Sequence, residues 1–191
     1  MSIIWWEKTI EYYFIQKHID LKMLIAPLDG NQEKAGDAIF SSEGSWVLIE
    51  FKRNQKSISD EIEKFINYDK AKKELESTSK HHLIIYGESV DDKLNLVACH
   101  YFSEKKITMN EALASGIEKD TFITYIEKFV SYKKNSSSGS GSYGFVAGVS
   151  SNGKLTKCMK ISEFAEIAGM NLNMGFEKEV EKTQTYGLSG P

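Results

Sequence analysis

The pattern of apolar and polar residues divides the first third of the chain into a helix and two strands. Apolar residues recur at helical spacing over residues 4–18, which predicts a first helix. Residues 46–52 are almost continuously apolar and end in alternating charge, a pattern typical of a central strand whose last residues emerge at a site. Between them, residues 37–40 have the pattern of a short strand, and Gly44 lies in the hairpin turn that would join the two strands.

The next part of the chain predicts one long helix followed by alternating strands and helices. Ile58, Ile62 and Phe65 recur at helical spacing among many charges, so residues 57–77 are expected to form an amphipathic helix with Ser59 or Asp60 as its N-cap. Further elements are predicted by pattern as strands over residues 82–86 and 94–102, helices over 110–116 and 121–133, a hairpin over 143–149 and 154–161, and a helix over 162–168.

The predicted elements correspond to an α/β fold with a mixed sheet flanked by helices. Residues 135–142 are serine and glycine except for Asn135, so we expect a flexible linker or loop between a domain over 1–134 and a small hairpin-helix extension over 143–170. Residues 171–191 are polar and predict a poorly ordered tail.

Composition and charge restrict the functional class. Of 191 residues, 41% are hydrophobic and 27% are charged, which is typical of a soluble globular protein. No apolar run is long enough to span a bilayer, so we expect a cytoplasmic protein that does not bind membranes. The formal net charge of −3 means that any surface for nucleic acid must be local. Arg53 and Lys56, which follow the central strand, are the candidates for such a surface.

The chemically most informative residues are Asp37, Glu50 and Lys52. Side chains alternate along a strand, so Glu50 and Lys52 lie on one face of the predicted central strand. Hairpin pairing with the strand at residues 37–40 would bring Asp37 alongside. Two converging carboxylates repel each other, and a hard divalent cation such as Mg²⁺ or Mn²⁺ would resolve that repulsion. Such an ion supports phosphodiester hydrolysis, in which Lys52 would offset negative charge in the transition state.

The segment Ala35-Gly36-Asp37, followed by Val47-Leu48-Ile49-Glu50-Phe51-Lys52, resembles the PD-(D/E)xK nuclease superfamily over residues 4–102. The resemblance implies a restriction-endonuclease-like αβββαβ core, shared with restriction endonucleases, Holliday junction resolvases of the archaeal type and RecB-type nucleases. It also implies that Asp37 and Glu50 are metal ligands and that Lys52 is the catalytic lysine. Gly36 stands where the family motif has proline. A first-helix glutamate reaches the metal in many relatives, which here would be Glu11 or, alternatively, Glu7.

Two other groups of polar residues carry weaker expectations. His81 and His82 precede a strand and are expected at the surface, because adjacent residues of an extended chain point in opposite directions. Lys64, Asn67 and Lys70 recur every three residues after the central strand. They are either a solvated stripe, the favoured interpretation, or a row that faces the cleft.

The sequence therefore predicts a metal-dependent phosphodiesterase, an endo- or exonuclease acting on DNA in defence, restriction or repair. The limited basic surface favours a homo-oligomer or a partner protein that supplies targeting. Two alternatives remain at this point: an inactive nuclease-fold module for binding or assembly, and a nuclease directed at RNA.

Overall fold

A single mixed sheet forms the centre of the part of the protein that can be described. A computed structural model describes residues 5–18, 44–134 and 144–170. The strands are β1 (Ser45–Lys52), β2 (His82–Val90), β3 (Lys93–His100), β4 (Lys106–Ile107), β5 (Phe145–Val149) and β6 (Leu155–Lys160). They form a six-stranded sheet in the order β4-β3-β2-β1-β5-β6. β1 and β2 run parallel, and the other neighbouring strands run antiparallel.

Helices cover both faces of this sheet. The α-helices are α1 (Glu7–His18), α2 (Tyr68–Leu75), α3 (Met109–Ala114), α4 (Lys119–Ser131) and α5 (Ile161–Ile167); Gln55–Lys64 is a 3₁₀ helix and Glu76–Thr78 a short 3₁₀ turn. Residues of α1 and α3 share one apolar cluster with the sheet, and those of the 3₁₀ helix, α2, α4 and α5 share the other. The predicted α/β class is confirmed. No helix in the described ranges has the length and apolar character needed to cross a bilayer.

The central strand β1 divides its side chains between these two clusters. Val47, Ile49 and Phe51 are buried in the cluster with α1 and α3. Trp46 and Leu48 are buried in the cluster on the opposite face. Because side chains alternate along a strand, Glu50 and Lys52 also lie on that opposite face, as the sequence predicted.

The C-terminal hairpin is continuous with the central sheet. β5 and β6 pair as predicted, around the turn that contains Asn152 and Gly153. β5 also pairs with β1 from Ser45 to Ile49, so the segment expected as a small extension supplies two of the six strands. The predicted linker at 135–142 and the predicted tail at 171–191 lie outside the described residues.

The prediction of one long helix over residues 57–77 is wrong. Asn54, rather than Ser59 or Asp60, is the N-cap, and its side chain accepts a hydrogen bond from the Ser57 amide at 3.2 Å. The chain then becomes extended at Phe65, where the Ile66 amide donates to the Tyr132 carbonyl at 2.9 Å. Asn67 caps α2 by accepting from the Lys70 amide at 3.0 Å. Two asparagine caps and a backbone link to the end of α4 thus divide the helix.

His81 and His82 are both buried, contrary to the expectation that they lie at the surface. The His81 ring packs edge-on against Tyr125 with centroids 4.4 Å apart, and neither ring nitrogen has a hydrogen-bond partner in the part of the chain that the structure describes. His82 stacks on Tyr101 at 3.8 Å and shares a 2.7 Å hydrogen bond with the Tyr125 hydroxyl. The pair lies at the start of β2, where the strand is covered by α4, so both rings are enclosed.

We expect the buried histidines to make the fold less stable in acid. Burial lowers the pKa of His81 to about 4, whereas an unfolded histidine titrates near 6.5. The unfolded chain therefore binds a proton first, and stability that is present above pH 6.5 is lost as the pH falls towards 4. The loss from His81 alone is about 3 kcal/mol at most.

Urea unfolding at a series of pH values measures this loss. His81→Phe keeps a ring beside Tyr125 but removes the titrating group, so its unfolding free energy should fall less steeply below pH 6.5 than that of the wild type. Equal slopes for the two proteins would contradict the assignment.

Candidate active site

The candidate site lies at the carboxyl ends of the parallel pair β1 and β2. Glu50 and Lys52 lie near the end of β1, paired in register with Ile84 and Tyr86 of β2. Ligand sites in open α/β sheets form outside the carboxyl ends of such strands. Glu50 and Lys52 are each only 4% exposed, which is unusual for charged residues without partners.

The 3₁₀ helix Gln55–Lys64 directs one row of side chains towards Glu50 and Lys52. A 3₁₀ helix has three residues per turn, so Ile58, Glu61 and Lys64 lie above one another along it. Glu61 is 3% exposed, whereas Ile62, which α-helical spacing assigned to the buried face, is 47% exposed. The tighter winding thus places an acid and a base, rather than an isoleucine, opposite β1.

These side chains form a buried charge cluster, which comprises Glu50, Lys52, Glu61, Lys64 and Lys133. Oε1 of Glu61 lies 2.6 Å from the Lys52 ammonium and 2.5 Å from that of Lys64. Oε1 of Glu50 lies 3.4 Å from Lys52 and 3.1 Å from Lys64. Each of these two lysines therefore bridges the two carboxylates.

Lys133 joins the cluster from the residues after α4. Its ammonium lies 3.2 Å from Oε2 of Glu61 and donates to the Tyr101 hydroxyl at 2.9 Å. The Tyr101 hydroxyl in turn donates to Oε2 of Glu61 at 2.7 Å. The ammonium also lies 3.9 Å from the centre of the Phe65 ring, a favourable cation–π position. Glu61 is thus the acid that all three lysines share.

The charge states within the cluster follow from burial and from the neighbouring charges. Burial, together with the charge of Glu61, raises the pKa of Glu50 to about 7 against the opposing effect of Lys64 and Lys52. Burial also acts to raise the pKa of Glu61, but Lys133, Lys64 and Lys52 outweigh it and hold that pKa well below its usual range. Burial lowers the pKa of Lys133 to about 8, although Glu61 opposes the change. Glu61 is therefore ionised at neutral pH, and Glu50 is close to its midpoint.

One oxygen of Glu50 remains without a partner. Oε2 is buried and has no hydrogen-bond partner among the described residues. Gly144 lies beside it, at the start of β5: a Cβ at that position would come within 3.2 Å of Oε2 and 3.1 Å of the Ile49 carbonyl oxygen. Gly144 has φ of +119°, which also disfavours any other residue. The glycine thus keeps side-chain atoms away from the unpartnered oxygen.

The unpartnered oxygen provides a test of whether a divalent ion fits the site. Mg²⁺ and Mn²⁺ prefer oxygen ligands, and a buried carboxylate oxygen without a donor is a suitable one. Within the described ranges, no group of three or more His, Cys, Asp or Glu residues is arranged to hold an ion. Among the described residues, Glu50 thus offers one carboxylate oxygen to an ion, and the further ligands would have to come from outside those residues.

Asp37 lies outside the described residues. The hydrogen bonds along the two edges of β1 show whether the strand can also pair with the predicted hairpin that would bring Asp37 to Glu50. β5 pairs with Ser45–Ile49 on one side, while the Trp46 amide and carbonyl bond to Ile117 and the Leu48 amide donates to His81 on the other. These bonds leave no free edge along Ser45–Ile49, the stretch that the predicted hairpin would have used.

The structure does not bring the first-helix glutamates to Glu50. Glu11 is buried on α1, which packs on the opposite face of the sheet, and both its oxygens accept from the Lys8 ammonium at 2.8 Å. Glu7 is exposed at the start of the same helix. Arg53 and Lys56, the predicted contacts to nucleic acid, are exposed directly after β1.

Sequence reasoning missed Glu61, Lys133 and Tyr101, and it left Lys64 between a solvated stripe and a cleft residue. Of the row Lys64, Asn67 and Lys70, only Lys64 reaches the cluster, because Asn67 caps α2 and Lys70 is exposed. The three-residue spacing of Ile58, Glu61 and Lys64 is the signal that would have found Glu61. Lys133 has no such signal, because it is 72 residues from its partner.

Comparisons with known proteins add no relationship to this geometry. No protein-family model, no curated protein and no solved structure matches the chain.

Proposed function

We propose that this protein is a metal-dependent nuclease with a restriction-endonuclease-like core that hydrolyses phosphodiester bonds of DNA. One observation carries the proposal: Glu50 and Lys52 lie together on one face at the carboxyl end of a buried central strand, and Oε2 of Glu50 has no partner among the described residues. An acid and a lysine in that position are the pair that such chemistry requires. The resemblance of Asp37, Glu50 and Lys52 to the PD-(D/E)xK motif points to the same activity.

Each residue of the motif has a distinct role in this proposal. Glu50 and Asp37 would hold Mg²⁺ or Mn²⁺. The bound ion supplies Lewis acidity at the phosphate and a water of lowered pKa. Lys52 offsets the negative charge that gathers on the phosphate oxygens, and its contact with Glu61 at 2.6 Å fixes its position. Arg53 and Lys56, exposed just beyond β1, contact the phosphate backbone.

Cleavage of a panel of nucleic acids tests the proposal. Purified protein is incubated with supercoiled plasmid, single-stranded DNA and RNA in Mn²⁺, in Mg²⁺ and in EDTA. The proposal predicts DNA cleavage that requires the ion. Cleavage of RNA alone would identify a nuclease directed at RNA, and retention of DNA in gel shifts without cleavage of any substrate would identify a binding module.

Replacement of Lys52 tests whether its positive charge contributes to DNA cleavage. We expect Lys52→Met to lower the rate of Mn²⁺-dependent DNA cleavage by about 10²-fold, because the cation next to the reacting phosphate is lost. Lys106→Met is a matched control, since Lys106 also extends from a strand of the sheet to a glutamate, Glu88, at 3.0 Å but far from β1. Equal cleavage rates for the two variants would contradict the role of Lys52.

A further inference from the structure

Lys64 differs from the other lysines of the buried charge cluster in its access to solvent. Its side chain is 34% exposed, compared with 5% for Lys52 and 1% for Lys133. All three contact carboxylates, but only Lys64 lies at the end of the 3₁₀ helix, at the partly exposed end of the row formed with Ile58 and Glu61. Its flexible stem can return the ammonium to water without unpacking the core, whereas the other two ammonium groups are enclosed.

Lys64 is also the most exposed of the lysines that contact the Glu50 carboxylate. Its ammonium lies 3.1 Å from Oε1 of Glu50, and the other oxygen of this carboxylate has no partner in the described ranges. A divalent cation bound to this carboxylate would lie within a few ångströms of the ammonium. Two positive charges so close in a buried site repel each other strongly, so the ammonium and the cation cannot both stay there.

We propose that Lys64 is an internal counter-ion of Glu50 that opposes binding of a divalent cation to the same carboxylate and moves to solvent when the cation binds. In the ion-free protein, Lys64 pairs with both Glu50 and Glu61. Once displaced, its ammonium lies at the rim of the site, where it can pair with the phosphate backbone. The inference rests on the proposed function in taking the cation to be the nuclease's own, but it concerns binding rather than cleavage.

Direct Mn²⁺ binding in the absence of nucleic acid tests the inference. Isothermal titration of the full-length protein compares the wild type with Lys64→Met. Removal of the competing charge should tighten Mn²⁺ binding, with a dissociation constant lower on the order of tenfold. Lys64→Gln, which retains a polar end, should tighten binding in the same direction and guards against a packing defect in the methionine variant.

Two controls locate the effect. Lys106→Met removes an exposed lysine from an ion pair elsewhere on the sheet and should leave Mn²⁺ affinity unchanged. Adding Glu50→Gln to Lys64→Met should abolish the gain. Equal or weaker Mn²⁺ binding by both Lys64 variants would overturn the inference, and so would a gain that survives Glu50→Gln. Tighter binding without cleavage of any substrate would instead uphold the inference and count against the nuclease.

Discussion

Replacing Glu61 with alanine is expected to lower the free energy of unfolding by about 3–5 kcal/mol, the usual cost of leaving a buried charge without its partner. Glu61 is the acid that Lys52, Lys64 and Lys133 share, and it also accepts a hydrogen bond from Tyr101. Its loss would leave Lys133 without an acidic partner among the described residues. Urea unfolding at neutral pH measures the change.

Two further variants separate the contributions to this loss. Glu61→Gln retains the shape of the side chain and can still accept a hydrogen bond from Tyr101. The decrease in the free energy of unfolding that this variant shows therefore measures the contribution of the negative charge. Glu88→Ala breaks an exposed ion pair with Lys106 and should cost less than about 1 kcal/mol. A Glu61→Ala change no larger than that of Glu88→Ala would show that the cluster does not stabilise the fold.

The second large effect is a loss of activity without a loss of fold. Glu50→Gln should lower the rate of Mn²⁺-dependent DNA cleavage by about 10³-fold, because a neutral amide is a poor ligand for the ion. The fold should tolerate the change, since burial already raises the pKa of Glu50 to about 7 and its neutral form is well populated near neutral pH. Cleavage rates and thermal melting of the same preparations provide both readouts.

The interpretation of Glu50 fails in either of two ways. If Glu50→Gln cleaves DNA at the wild-type rate, Glu50 is not a metal ligand in the reaction. If the variant melts far below the wild type, the carboxylate is needed for the fold, and any loss of cleavage says nothing about the ion.

Local pattern was sufficient to predict β1 and the shared face of Glu50 and Lys52. A nearly unbroken apolar run of this length is typical of a strand covered on both faces, and period-two geometry then assigns the charged residues to one side. The parallel neighbour β2 and the hairpin of β5 and β6 were likewise visible as runs of strand-forming residues between turn signals.

The partners of Glu50 could not be predicted in the same way. Ile58, Ile62 and Phe65 fit an α-helical period, but the chain winds as a 3₁₀ helix, so Glu61 faces the sheet and Ile62 faces solvent. Tertiary contacts determine that winding, because the extended residues after Lys64 bond to the backbone at Tyr132. The spacing of apolar residues along the sequence does not predict such a contact.

The position of the first helix shows a second limit of local pattern. The apolar face of the first helix is buried at Ile10 and Phe14, as predicted, but Trp6 of the same predicted face is 71% exposed. The pattern does not specify on which face of the sheet the helix packs. α1 packs against Val47, Ile49 and Phe51, so Glu11 lies on the side of the sheet away from Glu50.

The most direct test of the central claim is the position of manganese in crystals of the wild-type protein soaked in Mn²⁺, located by anomalous diffraction. The proposal predicts an ion about 2.0–2.3 Å from Oε2 of Glu50, with a carboxylate oxygen of Asp37 as a second ligand. Saturating Mn²⁺ that leaves no anomalous peak at Glu50 would contradict it.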